Sequence, residues 1–414
     1  MKITTNWLRE YLNQPKNLDL LDSMTSLGLE VESHNKLGKE SVIDLDITPN
    51  RSDCLSIYGV ARDLSAKYNL KVNNIKMSKL EIKKNSKIIN MIDHKIAPVY
   101  SGLILNNFNN SVDTPSFISS KLEACGISRV NFIVDLINFT MIEIGQPMHA
   151  FDIDKLSGQI RVDSSRKGET IHCLNGKSYE LLTNTPVIAD NSGPIAIAGV
   201  IGGELTAVDK NSKSVFIESA YFTPDLIRLS SKNYRIQTDS SHRFERGVDP
   251  LLPNIALKRL VYLVSKELNM KTMDIFAFSK TKFLKKSRGK IRLSLKAMIK
   301  NLGIEINEKF VINTLKRLGF SPKKIKKDIL QTTIPTYRFD ITNQNDLIEE
   351  IARIYGYDNF PSSLPDKLID HEAYKKPMSE KIADSLVSRG YNEVINYTFI
   401  PRGSQTLTSE FDHV

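Results

Sequence analysis

Cysteine is scarce in this chain: Cys54, Cys125 and Cys173 are the only three among 414 residues. They lie far apart and form neither a disulfide framework nor a Cys-x-x-Cys metal motif, so a reducing compartment is expected. Long apolar runs are also missing. No stretch approaches the ~18 apolar residues of a membrane span, and the start Met1-Lys-Ile-Thr-Thr-Asn-Trp7 lacks the uninterrupted apolar core of a secretory leader. These absences predict a cytoplasmic protein without a membrane partner. The glycine-bearing stretch Ile195-Ala-Ile-Ala-Gly-Val-Ile-Gly-Gly203 is neither a Gly-x-Gly-x-x-Gly fingerprint nor a Walker loop. It reads as a strand ending in small residues that let a ligand, or simply a tight turn, approach the backbone.

Lysine and arginine are plentiful. They number 57 against 47 acidic residues, a formal net charge of +10, which suits a polyanionic partner such as RNA. A hydrophobic content of 41% and a charged content of 25% are those of an ordinary globular protein. At ~150 residues per domain, the length predicts two to four domains.

Periodicity and composition divide the chain into a mixed unit over residues 1–75, a mixed α/β domain over 95–270, a third unit over 285–360 and the beginning of a further module over 365–414. Lys-rich joints at Lys71 to Lys87 and Lys280 to Lys290 separate the first three. The fold class is multidomain α+β. In the third unit, helices from Leu293 to Leu302 and from Glu308 to Leu318 each run into Leu-Gly, and glycine there accepts the left-handed conformation that stops a helix. With a strand at Ile329 to Ile334 and a final acidic helix, the unit is expected to be winged-helix-like.

That final helix carries the most informative cluster. Leu347, Ile348, Ile351, Ile354 and Tyr355 recur at helical spacing, which groups Asp346, Glu349 and Glu350 on another face, with Asp340 just upstream. Such carboxylates either surround a hard cation such as magnesium or are first-turn acids favoured by the helix dipole. Three further groups merit weighing. Asn138 and His149, the latter in Gly145-Gln-Pro-Met-His-Ala-Phe-Asp152, bring an amide and an imidazole to one loop, for structure or for chemistry. Glu218 in Phe216-Ile-Glu-Ser-Ala-Tyr-Phe222 is a carboxyl among apolar neighbours, paired internally or poised for a ligand. Arg243-Phe-Glu resembles the ATP-contacting arginine motif of class II synthetases, but no Gly-x-Gly-x-Gly-x-Glu-Arg segment follows it, so an autonomous adenylating site is not expected.

Taken in order, Thr48-Pro-Asn-Arg-Ser-Asp-Cys54, Gly145 to Asp152, Ala198-Gly-Val-Ile-Gly-Gly203, Ser241-His-Arg-Phe-Glu-Arg-Gly-Val-Asp249 and Tyr337-Arg-Phe-Asp340 through Tyr357 resemble the beta subunit of bacterial phenylalanyl-tRNA synthetase. The resemblance implies a B1-like start, a B3/B4-like editing domain, a B5-like third unit and the start of a class II synthetase-like module. It implies magnesium ligands at Asp340, Asp346, Glu349 and Glu350, and an editing pocket built from Asn138, His149, Ala198, Gly199 and Glu218. It also implies an alpha subunit partner in an alpha2beta2 heterotetramer, ATP bound mainly by alpha, and the phenylalanine tRNA as substrate. Three departures stand out. Only a short polar loop separates Leu29 to Glu32 from Val42 to Leu45, where many relatives insert an OB domain that binds tRNA. Ile137 occupies a position often held by threonine. The last module is incomplete, as in a truncated chain. These departures keep open a tRNA-binding or structural scaffold with a decayed editing site, or a nonfunctional fragment.

Overall fold

The computed structural model describes residues 1–13, 18–38, 40–83, 86–268, 274–279, 289–362 and 375–399. Two compact units emerge, Met1–Phe360 and Pro361–Val414. In the first unit, strands β1 (Lys2–Thr4), β2 (Glu30–Leu37) and β3 (Glu40–Asp46) form a sheet in the order β1-β3-β2. The stretch expected to be a loop is therefore the β2–β3 hairpin, paired from Glu30 opposite Asp46 to Leu37 opposite Glu40. Helices α1 (Thr5–Tyr11) and α2 (Leu20–Thr25) lie against the sheet, and α3 (Ile57–Tyr68) packs on α1. Thr4 caps α1 by accepting from the Trp7 N–H, and Ser56 caps α3 by accepting from the Gly59 N–H.

The tract read as a linker is bound to the core instead. The Asn73 N–H donates to the Tyr11 carbonyl, the Ser78 N–H donates to the Lys258 carbonyl, and Ile75 and Leu80 pack on buried side chains. The tract contributes β4 (Ile82–Lys83). The Lys-rich joint expected from Lys280 onward lies, up to residue 288, outside the described residues.

Two five-stranded sheets form the middle of the unit. The first contains β4, β6 (Val99–Leu105), β7 (Met148–Asp152), β14 (Val215–Tyr221) and β15 (Asp274–Ser279), in the order β4-β15-β6-β14-β7. The second contains β5 (Ile89–Ile92), β8 (Ile160–Ser164), β11 (Pro186–Asp190), β12 (Gly193–Ile197) and β13 (Ile201–Gly202), in the order β13-β12-β11-β8-β5. A small pair, β9 (Thr170–His172) with β10 (Ser178–Glu180), sits beside them. Helices α4 (Ser116–Ala124), α5 (Phe132–Ile144), α6 (Pro224–Tyr234), α7 (Asp239–Phe244) and α8 (Leu252–Leu268) cover the faces.

Strand β14 is flanked by β6 and β7 and every one of its residues is buried, so it shows no polar alternation. Helix α5 starts at an Asn131 cap and stops at Gly145, whose φ of +87° delivers the chain directly into β7.

Residues 289–360 form a three-stranded antiparallel sheet of β16 (Lys290–Ser294), β17 (Ser321–Lys326) and β18 (Ile329–Thr333), with β18 central. Helices α9 (Leu295–Leu302), α10 (Glu308–Arg317) and α11 (Gln344–Tyr355) pack on it. Both glycine stops form as the sequence predicts, Gly303 at φ +71° and Gly319 at φ +86°. In the second unit, helix α12 spans Met378–Ser388.

Candidate functional site

A cavity of about 520 Å³ opens between the faces of the two five-stranded sheets. Asn138 of α5, His149 of β7, Glu218 of β14 and Gly199 of the β12–β13 turn all line it. Four side chains or backbones separated by up to 80 residues thus meet at one site. Antiparallel pairing explains how. Glu218 sits directly opposite His149 in the β14–β7 ladder and opposite Gly102 in the β14–β6 ladder, so the carboxyl and the imidazole leave the same sheet face as cross-strand neighbours.

The two groups are electrically quiet. Burial pushes the Glu218 carboxyl up to about 8, against a partial lowering by the Tyr100 hydroxyl, and burial pulls the His149 imidazole down to about 4. Near pH 7 the site therefore holds a protonated carboxyl and a neutral imidazole, not an ion pair. Glu218 Oε2 and His149 Nε2 are buried without hydrogen-bond partners. Buried polar atoms are seldom left this way, and the two residues that carry them share one cavity. The Asn138 amide has no hydrogen-bond partner among the described residues.

The structure separates Ala198 from the other predicted residues. Ala198 is fully buried behind the turn and does not reach the cavity, whereas Gly199 does, at φ +67°. Sequence reasoning missed Gly202. A Cβ there would lie 2.3 Å from His149 Cε1, so only glycine lets the imidazole take its place. The Gly-Gly ending of the motif was the available signal. Ile137 lines the cavity as an apolar wall where a hydroxyl was expected in relatives.

The acidic quartet behaves differently. Arg338 grips Asp340 with two hydrogen bonds of 2.9 and 2.8 Å and reaches Glu350 Oε2 at 2.7 Å. Arg353 meets the same Glu350 oxygen at 2.7 Å. These guanidinium groups outweigh burial and hold the Glu350 carboxyl well below the usual range. Asp346 forms a capping box with Asn343, one oxygen accepting from the Thr342 and Asn343 N–H groups at 2.6 and 2.9 Å. Glu349 is exposed. The expected common face does not form: Asp340 and Glu350 are internal counter-ions, Asp346 closes the helix, and Glu349 alone points outward with no partner among the described residues. The four do not fit a magnesium cage made by this chain alone.

Among the described residues, the one group of three ligating residues with atoms mutually within 4.8 Å is Asp53, Cys54 and Asp63. Arg51, Arg62 and Arg353 already neutralise its two carboxylates at 2.8–3.0 Å. A larger cavity of about 810 Å³ is walled by Arg62, Arg243 and Tyr337 among others, but none of its lining residues carries a buried polar atom lacking a partner.

Residues 96–269 match the B3/4 domain and residues 291–357 match the tRNA synthetase B5 domain, so the chain is built from parts of a tRNA synthetase. The phenylalanine-tRNA ligase beta subunit of Francisella tularensis is 36% identical over 382 residues, which are 90% of this chain and 48% of that protein. The subunit of the same name from Hahella chejuensis is 37% identical over 401 residues, 94% of this chain and 49% of that one. The chain belongs to the phenylalanine-tRNA ligase beta subunit family and spans about half the length of the curated relatives it matches. A solved N-terminal fragment of the phenylalanyl-tRNA synthetase beta subunit from Pyrococcus horikoshii aligns with 86% of this chain and 99% of its own, at 16% identity and a TM-score of 0.47. No helix among the described residues is long and apolar enough to cross a membrane.

Proposed function

We propose that this chain acts as a phenylalanine-tRNA ligase beta subunit whose 520 Å³ cavity hydrolyses tyrosine wrongly attached to the phenylalanine tRNA. One observation carries this reading: a neutral carboxyl and a neutral imidazole, each with a free buried atom, face the same apolar cavity from adjacent strands. Phenylalanine and tyrosine differ by one hydroxyl, and an apolar synthetic pocket rejects an added hydroxyl only weakly. A second site that seeks the hydroxyl supplies the missing discrimination. A phenylalanyl group would leave Glu218 unpaired, whereas a tyrosyl hydroxyl donates to its carbonyl oxygen.

Water attacks the ester carbonyl, the carbon–oxygen bond to the terminal ribose breaks, and the proton from water ends on the ribose hydroxyl that leaves. His149 Nε2 and the Asn138 amide orient the ester and the incoming water; no protein atom becomes covalently attached. ATP and phenylalanine are held by an alpha subunit, in the cytoplasm, within an alpha2beta2 assembly. A magnesium ion at the start of α11 needs donors from that partner, because Glu349 is the only one of the four acids still free to turn toward it.

The test is deacylation of tyrosyl-tRNA for phenylalanine by the chain with and without alpha. Release of tyrosine should fall at least 100-fold in a His149→Ala, Asn138→Ala double variant, in line with the loss of positioned groups; unchanged release would sink the assignment. Ile137 favours the competing scaffold reading, under which the unmodified chain would bind the tRNA yet release no tyrosine.

A further inference from the structure

We propose that Tyr100 is the positioning residue for Glu218, its phenol fixing the carboxyl so that one oxygen stays turned toward the cavity as acceptor for a ligand hydroxyl. The inference rests on the reading of this cavity as a hydroxyl-seeking site. Tyr100 lies on β6, opposite Ala220 of β14, while Glu218 lies opposite Gly102. Alternation along antiparallel strands puts Tyr100, Gly102, Glu218 and Ala220 on one face, with the phenol diagonal to the carboxyl and within reach of a long aromatic side chain. The lane between them holds no side chain of its own, because position 102 is glycine. The Phe216 ring fills that space instead, so closely that a Cβ on residue 102 would lie 2.3 Å from it.

Tyr100 is fully buried, and its hydroxyl, like Glu218 Oε2 and His149 Nε2, has no well-formed hydrogen bond. Tyr100 does not line the cavity, so its phenol acts on Glu218 and not on the ligand, while Glu218 and His149 are the groups that face the ligand space. The phenol and carboxyl already influence each other. Burial first and then the nearby carboxyl push the Tyr100 hydroxyl far above its ordinary range, and Tyr100 is the one group that lowers Glu218.

Tyr100→Phe removes one oxygen and keeps the ring. Infrared titration of the ligand-free chain follows the Glu218 carboxyl, assigned by its loss in Glu218→Gln. Removal of the phenol should move that titration upward by about one pH unit, the size expected when an ionised group loses a hydrogen-bond donor. An unmoved titration overturns the proposal. If Tyr100→Phe does not fold, 3-fluorotyrosine at residue 100, a stronger donor of the same shape, should move it downward, and no movement there overturns the proposal equally. A second arm measures binding of amide-linked tyrosyl-adenosine and phenylalanyl-adenosine. The preference of the unmodified chain for the tyrosyl compound should drop about tenfold in Tyr100→Phe, the size of one neutral hydrogen bond; an unchanged preference overturns the ligand role of Tyr100. Absence of any tyrosyl preference in the unmodified chain, with the titration still moving, overturns the hydroxyl-seeking reading and leaves the Tyr100–Glu218 coupling standing.

Discussion

Glu218 and His149 carry opposite linkages between protonation and folding, and their difference is measurable. Glu218 has a folded value near 8 against an ordinary 4.5, so from about pH 4.5 to 8 the folded chain keeps a proton that the unfolded chain has lost, and stability falls as pH rises. His149, lowered from 6.5 to about 4, works the other way: stability rises with pH between those values because the unfolded chain holds the proton. Below pH 6.5 the two partly cancel, and above it Glu218 acts alone. Urea denaturation should therefore show the protein about 2 kcal/mol less stable at pH 8 than at pH 6.5, and Glu218→Gln should abolish that decline. A decline that survives in Glu218→Gln would remove the buried-acid account. Gly202→Ala is the matching steric test. Its Cβ would displace the His149 ring, so tyrosine release should drop at least tenfold while the melting temperature moves little, read by deacylation beside thermal unfolding. His149 stood out in its sequence motif, whereas nothing marked Gly202 as its neighbour, since glycine announces an open backbone without saying whose side chain occupies the space.

Helix α11 shows where pattern reading works and where it stops. The buried stripe of Leu347, Ile348, Ile351 and Ile354 forms as its spacing predicts, because burial of apolar side chains is a local demand that the sequence states directly. The acidic residues make no such statement. Glu349 and Glu350 are adjacent in sequence but about 100° apart around the helix, and one is exposed while the other is buried against arginines. Those arginines decide the outcome. Arg338 comes from the loop before the helix, and nothing in the spacing of the acids reveals its approach. Arg338→Met would strip Asp340 of its only ion-pair partner among the described residues and leave Glu350 with Arg353 alone. The variant should lose about 3–5 kcal/mol of stability, as for other buried pairs broken on one side. A loss below about 1 kcal/mol in chemical denaturation would show that Asp340 finds another partner or water.

Across the whole first unit, buried charge joins segments that composition had treated as separate. Glu143 receives the Tyr11 hydroxyl at 2.5 Å and Arg259 at 2.6 Å, and Arg259 also donates to the Lys76 carbonyl, which binds the supposed linker to α1, α5 and α8. The tract carries few apolar residues at irregular spacing, and beyond the packing of Ile75 and Leu80 its attachment runs largely through backbone groups, so its own sequence holds little trace of it. A second network spans greater distance. Arg51 and Arg62 balance Asp53 and Asp63 near the N-terminus, while Arg338 and Arg353 balance Asp340 and Glu350 around α11. Each half is neutral by itself. They are linked by Arg353 with Asp63 at 2.8 Å, by Arg353 donating to the Leu27 carbonyl, and by the Arg62 guanidinium 3.6 Å above the Tyr337 ring. Arg353→Met leaves every acid one arginine, Arg51 for Asp63 and Arg338 for Glu350, so it should cost less than Arg338→Met. A double-mutant cycle of Asp63→Asn with Arg353→Met isolates the link itself. The coupling should reach about 1–3 kcal/mol in urea denaturation, as for contacting residues of one charge network. A value within about 0.5 kcal/mol of zero, the range of independent sites, would mean that the two halves merely abut and that apolar packing alone holds the α11 region to the N-terminal segment.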